Sequence, residues 1–155
     1  TWTEQSVRGL RTWTDGVISL RVTRDPAFGF LPGQYVRLGL PKPDGTLAWR
    51  PFSMVSSPRE DTLEFLARLV PGGEFSEPLA RLRVGDPILV DRRVLGFLTV
   101  DRLAPGASLW MLASGTGLGP FVSILRDPQA GAGFEDLVIV HSVREAAELA
   151  YRDEI

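Results

Sequence analysis

Arg50-Pro51-Phe52-Ser53, inside the run Trp49 to Pro58, puts a cation, an aromatic ring and a hydroxyl into four residues. Pro51 fixes its own φ and drives Arg50 toward an extended conformation. Alternate side chains of an extended segment share a face, so Arg50 and Phe52 point one way and Ser53 the other unless a bulge intervenes. Such a face suits a ligand with phosphates and a planar, polar-edged ring. Read alone, the same residues describe an ordinary strand, with Phe52 in the core and Arg50 in water. The rest of the chain has to decide between the two.

The first two thirds of the chain read as β structure. Val7 to Trp13 is a strand, and Val17 to Arg24 alternates Ile18, Leu20 and Val22 against Ser19, Arg21 and Thr23. Asp15-Gly16 between them is a hairpin turn signal. Gln34 to Leu40 and Leu47 to Ser56 are further strands, the second carrying the motif. Thr62 to Val70 alternates Leu63, Phe65, Ala67 and Leu69 against Glu64, Leu66, Arg68 and Val70. Pro71-Gly72-Gly73 then opens a short helix, roughly Glu77 to Leu82, with Ser76 as its N-cap. Ile88 to Arg92 and Phe97 to Val100 complete six or seven short strands, the signature of a small antiparallel barrel.

The pattern changes near Leu103 to Gly106. Ser108 to Ala113 and Leu137 to His141 are continuous apolar runs, as in strands buried on both faces. A glycine-rich loop, Ser114 to Pro120, and a helix, Phe121 to Arg126, stand between them. Arg144 to Tyr151 reads as a second helix. This order predicts the opening of a parallel α/β unit. The expected division is 1–102 for the barrel and 103–155 for the first part of an α/β nucleotide-binding domain. Parallel sheets usually have about 5–6 strands, so two strands imply a fragment or completion by another chain, with a fragment the expectation.

Of 155 residues, 44% are hydrophobic and 23% charged, as in globular proteins. A net charge of −2 points to neither nucleic acid nor an anionic membrane. No apolar run is long enough for a bilayer and no secretory pattern stands at the N-terminus, so the expected compartment is the cytoplasm. The lack of cysteine excludes disulfides, thiolate zinc sites and a chain-borne iron–sulfur cluster. His141 is the only histidine and reads as structural.

Two segments can hold anions. Ser114-Gly115-Thr116-Gly117-Leu118-Gly119-Pro120 joins a buried strand to a helix, where glycines let N–H groups approach a phosphate. Its Gly-x-Gly-x-Gly spacing is neither a P-loop nor the full dinucleotide fingerprint, and tight turns use glycine for geometry alone. Gly72 to Ser76 is a second glycine turn feeding a helix. After the last strand stand Ser142 and Arg144, with no acid at that strand end. This favours a ribose 2′-phosphate, hence NADP over NAD; Glu145 weighs slightly against it.

Together these segments resemble the ferredoxin–NADP reductase family, bacterial type. Arg50-Pro51-Phe52-Ser53 is similar to its Arg-x-Tyr-Ser flavin motif, with Phe52 in place of tyrosine. Gly73-Glu74-Phe75-Ser76 resembles its Gly-x-x-Ser/Thr segment. Gly115-Thr116-Gly117-Leu118-Gly119-Pro120-Phe121 resembles its Gly-Thr-Gly-x-x-Pro-Phe loop, and His141-Ser142-Val143-Arg144 with Glu148-Leu149-Ala150-Tyr151 looks like the bacterial branch. Four motifs in order are more specific than any one.

The resemblance implies a six-stranded barrel that binds FAD and an α/β domain that binds NADP(H). Arg50 would contact the FAD phosphates, Phe52 would pack on the isoalloxazine or ribityl, Ser53 would bond near flavin N5, and Pro51 would belong to the same cofactor-binding set. Leu66, Ala67, Arg68 and Leu69 would line the ring. Glu74, Phe75 and Ser76 would bind the pyrophosphate, and Thr116 would sit where nicotinamide meets flavin. Ser53 and Thr116 would thus be the catalytic pair, while Ser142 and Arg144 hold NADP, with Arg152 a weaker candidate. The implied activity moves electrons between NADP(H) and ferredoxin or flavodoxin. The implied protein is a monomer with an arginine-rich rim, from Arg81, Arg83, Arg92 and Arg93, facing an acidic partner. Further strands, with a Cys-Gly-x-Pro-type segment, would lie outside these residues. A flavin- or nucleotide-binding module without turnover stays open, as does a related reductase serving an oxygenase, ferric iron or free flavin.

Overall fold

The alternating segments form six antiparallel strands in a computed structural model that describes residues 1–155. They are β1 (Trp2–Thr14), β2 (Val17–Thr23), β3 (Tyr35–Pro41), β4 (Leu47–Ser53), β5 (Thr62–Arg68) and β6 (Pro87–Asp91), in the spatial order β4-β3-β6-β1-β2-β5. β1 serves two partners. Trp2 to Ser6 pairs with β6, and Val7 to Thr14 pairs with β2 through two register shifts that bend the strand. The outermost strands meet in a bridge between Met54 and Phe65, which closes the sheet into the expected barrel. Leu20, Val22, Val36, Leu38, Leu40, Leu63, Phe65, Ile88 and Val90 fill it from alternate strand positions. Phe75 and Leu79 join them from α1 (Ser76–Arg81) and its N-cap.

Beyond the barrel, β7 (Gly106–Ser114) and β8 (Phe134–Ser142) pair in parallel, with α2 (Gly119–Arg126) in the connection between them. The expected burial on both faces is met on one. Ala113 packs with Leu118 and Val122, while Trp110 is 60% and Leu112 70% exposed on the opposite face, over which these residues place no layer. No helix is long and apolar enough to cross a membrane.

Four local expectations are corrected. β1 begins at Trp2, five residues before Val7, because β6 offers a pairing edge there. Phe75, not Ser76, is the N-cap of α1; the Ser76 hydroxyl accepts the Val70 N–H at 2.9 Å instead. Phe97 to Val100 is not a strand. Leu95 bridges Tyr35, Gly96 at φ 101° turns the chain outward, and Val100–Arg102 makes a 3-10 turn. Arg144 to Tyr151 is not a helix, since only Ala146–Glu148 makes a 3-10 turn. Glu148 reaches back to the Arg144 N–H and across to Arg68, and Tyr151 takes φ 60°, which turns the segment back on the barrel.

The outer face of β2 and β5 joins the two sheets. Glu64 and Leu66, on the side expected to be polar, are 5% and 6% exposed. Val17, Val55 and Leu66 of the barrel cluster with Ala113, Leu118, Val122, Ala150 and Tyr151. At the centre, the Tyr151 hydroxyl donates to Glu64 Oε1 at 2.7 Å. Arg126 and Arg21 donate to Glu64 Oε2 at 2.7 Å and 3.1 Å. Ser19 Oγ lies 2.6 Å from the Tyr151 oxygen and accepts the Trp13 indole N–H at 2.7 Å. With the Tyr151 proton committed to Glu64, the Ser19 hydroxyl donates to Tyr151. No buried side-chain nitrogen or oxygen lacks a partner, so this network is fully satisfied.

Burial pushes the Glu64 carboxyl up, but the Arg126 and Tyr151 hydrogen bonds and the Arg126 charge outweigh it and hold the carboxyl below the usual glutamate range. The Tyr151 phenol is pushed up, first by burial and then by the Glu64 charge. Glu64 therefore binds its proton less readily folded than unfolded. Its contribution to stability is present above about pH 4.3 and is lost as the pH falls through the depressed folded value. Thermal unfolding followed between about pH 5 and pH 3 should show a smaller acid loss in Glu64→Gln than in the parent. Equal slopes would assign that loss to other carboxylates.

Candidate functional site

β4 can carry Pro51 because it is paired on one side only. β3 takes one edge, and the other stays open until Met54. The register sets Arg50 opposite Leu38, Phe52 opposite Val36 and Ser53 opposite Tyr35. Arg50 is exposed. Its guanidinium makes one hydrogen bond within the chain, to the Trp49 carbonyl at 2.8 Å, and has no carboxylate partner. Phe52 is half-buried, with its ring centroid 5.3 Å from that of buried Phe75 at an interplanar angle of 36°. The structure thus brings Phe52 and Phe75 together across β4 and the start of α1.

The glycine turn beside Phe75 is tight. A Cβ on Gly73 would stand 2.9 Å from the Val70 carbonyl oxygen and 3.3 Å from Ser76 Oγ. No acceptor within the chain takes the backbone N–H of Glu74, Phe75 or Ser76. Glu74 is exposed and approaches Lys42 at 3.8 Å. An unpaired guanidinium, three free N–H groups and an aromatic surface fit a phosphate joined to a flat ring.

The β5 candidates divide. Leu66 faces the second sheet and Ala67 the barrel core, so neither side chain is free. Arg68 holds Glu148 at 2.6 Å, which keeps the Glu148 carboxyl below its usual range; burial opposes that shift more weakly. Leu69 gives its N–H to Gly16 and packs on the core.

The loop with Thr116 forms a 3-10 turn, Gly115–Leu118, that runs straight into α2. His141 Nε2 lies 2.9 Å from the Gly115 carbonyl oxygen and ties the loop to the end of β8. At Gly119 a Cβ would stand 3.3 Å from Val55 Cγ2 and 3.9 Å from the Ser53 carbonyl oxygen. The loop therefore docks on the end of β4, and Ser53 and the Thr116 turn share one corner of the molecule. Ser142, in register with Ser114, lies at the carboxyl end of the parallel pair, where open α/β sheets bind ligands. Arg144 is exposed, and only its backbone N–H is engaged, by Glu148 at 3.2 Å. Exposed Arg152 lines a cavity with Leu125, Leu137, Ile139 and His141.

A cavity of about 690 Å³ lies elsewhere, between the Pro41–Asp44 turn and α1. Of the expected ligand contacts it includes only Glu74. Arg81, from the expected rim, also lines it and approaches Glu77 at 3.9 Å, while Arg92 pairs with Asp25 at 3.3 Å. The network of Glu64, Arg126 and Tyr151 was not expected, although Tyr151 stood in the segment Glu148-Leu149-Ala150-Tyr151. The signal that could have found them is Leu66, an apolar residue on the nominally polar face of β5.

Residues 16–91 match the family of oxidoreductase FAD-binding domains. Over 150 residues the chain is 42% identical to ferredoxin–NADP reductase A of Sorangium cellulosum, covering 97% of this chain and 54% of that protein. It is 39% identical over 149 residues to a ferredoxin–NADP reductase of Pseudomonas aeruginosa, covering 96% and 57%. A ferredoxin NADP+ reductase from Neisseria gonorrhoeae with bound FAD and NADP superposes with a TM-score of 0.93 at 35% identity, over 99% of this chain and 62% of that one. The chain thus spans little more than half the length of these curated relatives.

Gly73→Ala should force the Val70 carbonyl or the Ser76 hydroxyl out of place. Overpacking of this kind costs about 1–3 kcal/mol, measurable by urea unfolding, and the amide resonances of Glu74 to Ser76 should shift. An unchanged midpoint and spectrum would mean that the turn absorbs the methyl group.

Proposed function

The chain belongs to the ferredoxin–NADP reductase family, and on that premise we propose that the protein carries electrons between NADP(H) and ferredoxin or flavodoxin through FAD. The observation that carries this reading is the docking of the Gly115–Gly119 loop on the end of β4, beside Ser53. Residues 1–102 would form the FAD-binding barrel, and 103–155 would belong to the dinucleotide-binding domain. A monomer working in the cytoplasm completes the proposal.

Arg50 would meet the FAD phosphates, since no carboxylate neutralises it. The free N–H groups of Glu74, Phe75 and Ser76 would meet the pyrophosphate. Pro51 and Phe52 would pack on the flavin, with Phe52 held in place by Phe75. Phenylalanine keeps the stacking surface and lacks a phenol hydroxyl. Ser53 would hydrogen-bond near flavin N5. Leu66, Ala67 and Leu69, whose side chains are engaged elsewhere, would line the ring through backbone, and Arg68 through its exposed side. Thr116 would orient the nicotinamide. Ser142 and Arg144 would hold the ribose 2′-phosphate. The FAD held by Arg50, Phe52 and Ser53 would supply the coupling of two-electron to one-electron chemistry, and these residues would supply position and electrostatics.

Anaerobic addition of NADPH to the flavin-loaded protein should bleach its yellow colour, and reoxidation by ferredoxin or flavodoxin should restore it. A protein that binds FAD and resists NADPH would be a binding module, and one that refuses FAD would overturn both readings. Arg50→Ala should raise the FAD dissociation constant about 10- to 100-fold, the loss of charge-assisted bonds worth about 1.5–3 kcal/mol. Arg144→Ala should raise the KM for NADPH more than that for NADH. Equal increases would remove the assignment of the 2′-phosphate to Arg144.

A further inference from the structure

Helix α2 is fastened to the barrel at three points along its length. At its start Gly119 lies against Val55 and the Ser53 carbonyl. In its middle the Ser123 hydroxyl donates to the Ser56 carbonyl at 2.7 Å. At its end Arg126 donates to Glu64 at 2.7 Å. All three fastenings lie between Ser53 and Glu64. That stretch is itself cross-linked: Val55 N–H donates to the Glu64 carbonyl at 2.7 Å, and Glu64 N–H to Ser56 Oγ at 3.0 Å. Tyr151 completes the hold on Glu64 from the far end of the second unit.

We propose that Glu64 is a positioning residue for the reaction. Through Arg126 and Tyr151 it sets the tilt of α2, and so the height of the Thr116 loop over Ser53. The inference rests on the function proposed above, which places nicotinamide and flavin at that junction. An α-helix rises about 1.5 Å per residue, so Ser123 stands about 4.5 Å from Arg126 and about 6 Å from Gly119 along the axis. With Ser123 as pivot, a shift of about 1 Å at Arg126 moves Gly119 by about 1.3 Å. A misplacement of about 1 Å between reacting groups can cost on the order of 100-fold in rate. Glu64 is 5% exposed and is not among the residues proposed to hold either cofactor, so its effect would pass through Arg126 and Tyr151.

The test uses Glu64→Gln, with Tyr151→Phe as a second variant that keeps the Glu64 charge and carries the test if the first does not fold. Three quantities are measured: the FAD dissociation constant, the rate of reduction by saturating NADPH, and amide hydrogen exchange at residues 115–119 in the flavin-free protein. Glu64→Gln should leave FAD affinity within about 2-fold, slow reduction about 10- to 100-fold, and speed exchange in the loop. Tyr151→Phe should shift the same quantities less, in the same direction. A variant that only melts earlier, with parental reduction rate and loop exchange, would overturn the proposal and leave Glu64 a purely structural group. Failure of the unsubstituted protein to bind FAD or to react with NADPH would count against the functional reading instead. The exchange measurement would still decide whether Glu64 sets the loop.

Discussion

A carboxylate buried between two sheets must find its donors in place, because an uncompensated buried charge costs several kcal/mol. Glu64 meets that demand with three donors from three parts of the chain: Arg21 on β2, Arg126 at the end of α2, and Tyr151 beyond β8. The apolar contacts around it, Val55 and Leu66 against Leu118 and Val122, would tolerate some sliding. Directional bonds to a single carboxylate do not. The orientation of the β7–β8 unit on the barrel follows from that difference.

The same junction explains why the ligand-facing features gather where they do. β4 leaves one edge open up to Met54, which tolerates Pro51 and leaves Arg50 without an internal partner. Gly119 then sets the second unit close beside the end of that strand, where a Cβ would stand 3.3 Å from Val55 Cγ2. An open strand edge, a glycine loop and a short turn with free N–H groups each have ordinary structural explanations. Their convergence around Ser53 and Phe52 is the feature that such explanations leave unaccounted for.

β7 and β8 show how an apolar run depends on its surroundings. Trp110 and Leu112 have the composition of buried sheet, yet they stand exposed, because burial requires a layer on each face and these residues supply one. The apolar sequence is a statement about what the strand can accept, and the packing partner decides whether the burial is realised.

The sequence by itself determined the barrel, the parallel pair and the order of the motifs. Period-two alternation in Val17–Thr23, unbroken apolar runs near Trp110 and Val138, and glycine or proline at the turns are local signals, set by residues close in the chain. It could not determine how Arg144 to Tyr151 would fold. Helical propensity there yields to Glu148 bonding Arg68 and to the Tyr151 hydroxyl reaching Glu64, contacts 80 and 87 residues apart in the chain. Nor could it show that Glu64 is buried, since alternation places a charged residue on an outer face without saying whether that face meets water or protein. The tertiary structure decided both, because long-range hydrogen bonds to buried charges outweigh the fractions of a kcal/mol that separate local conformations.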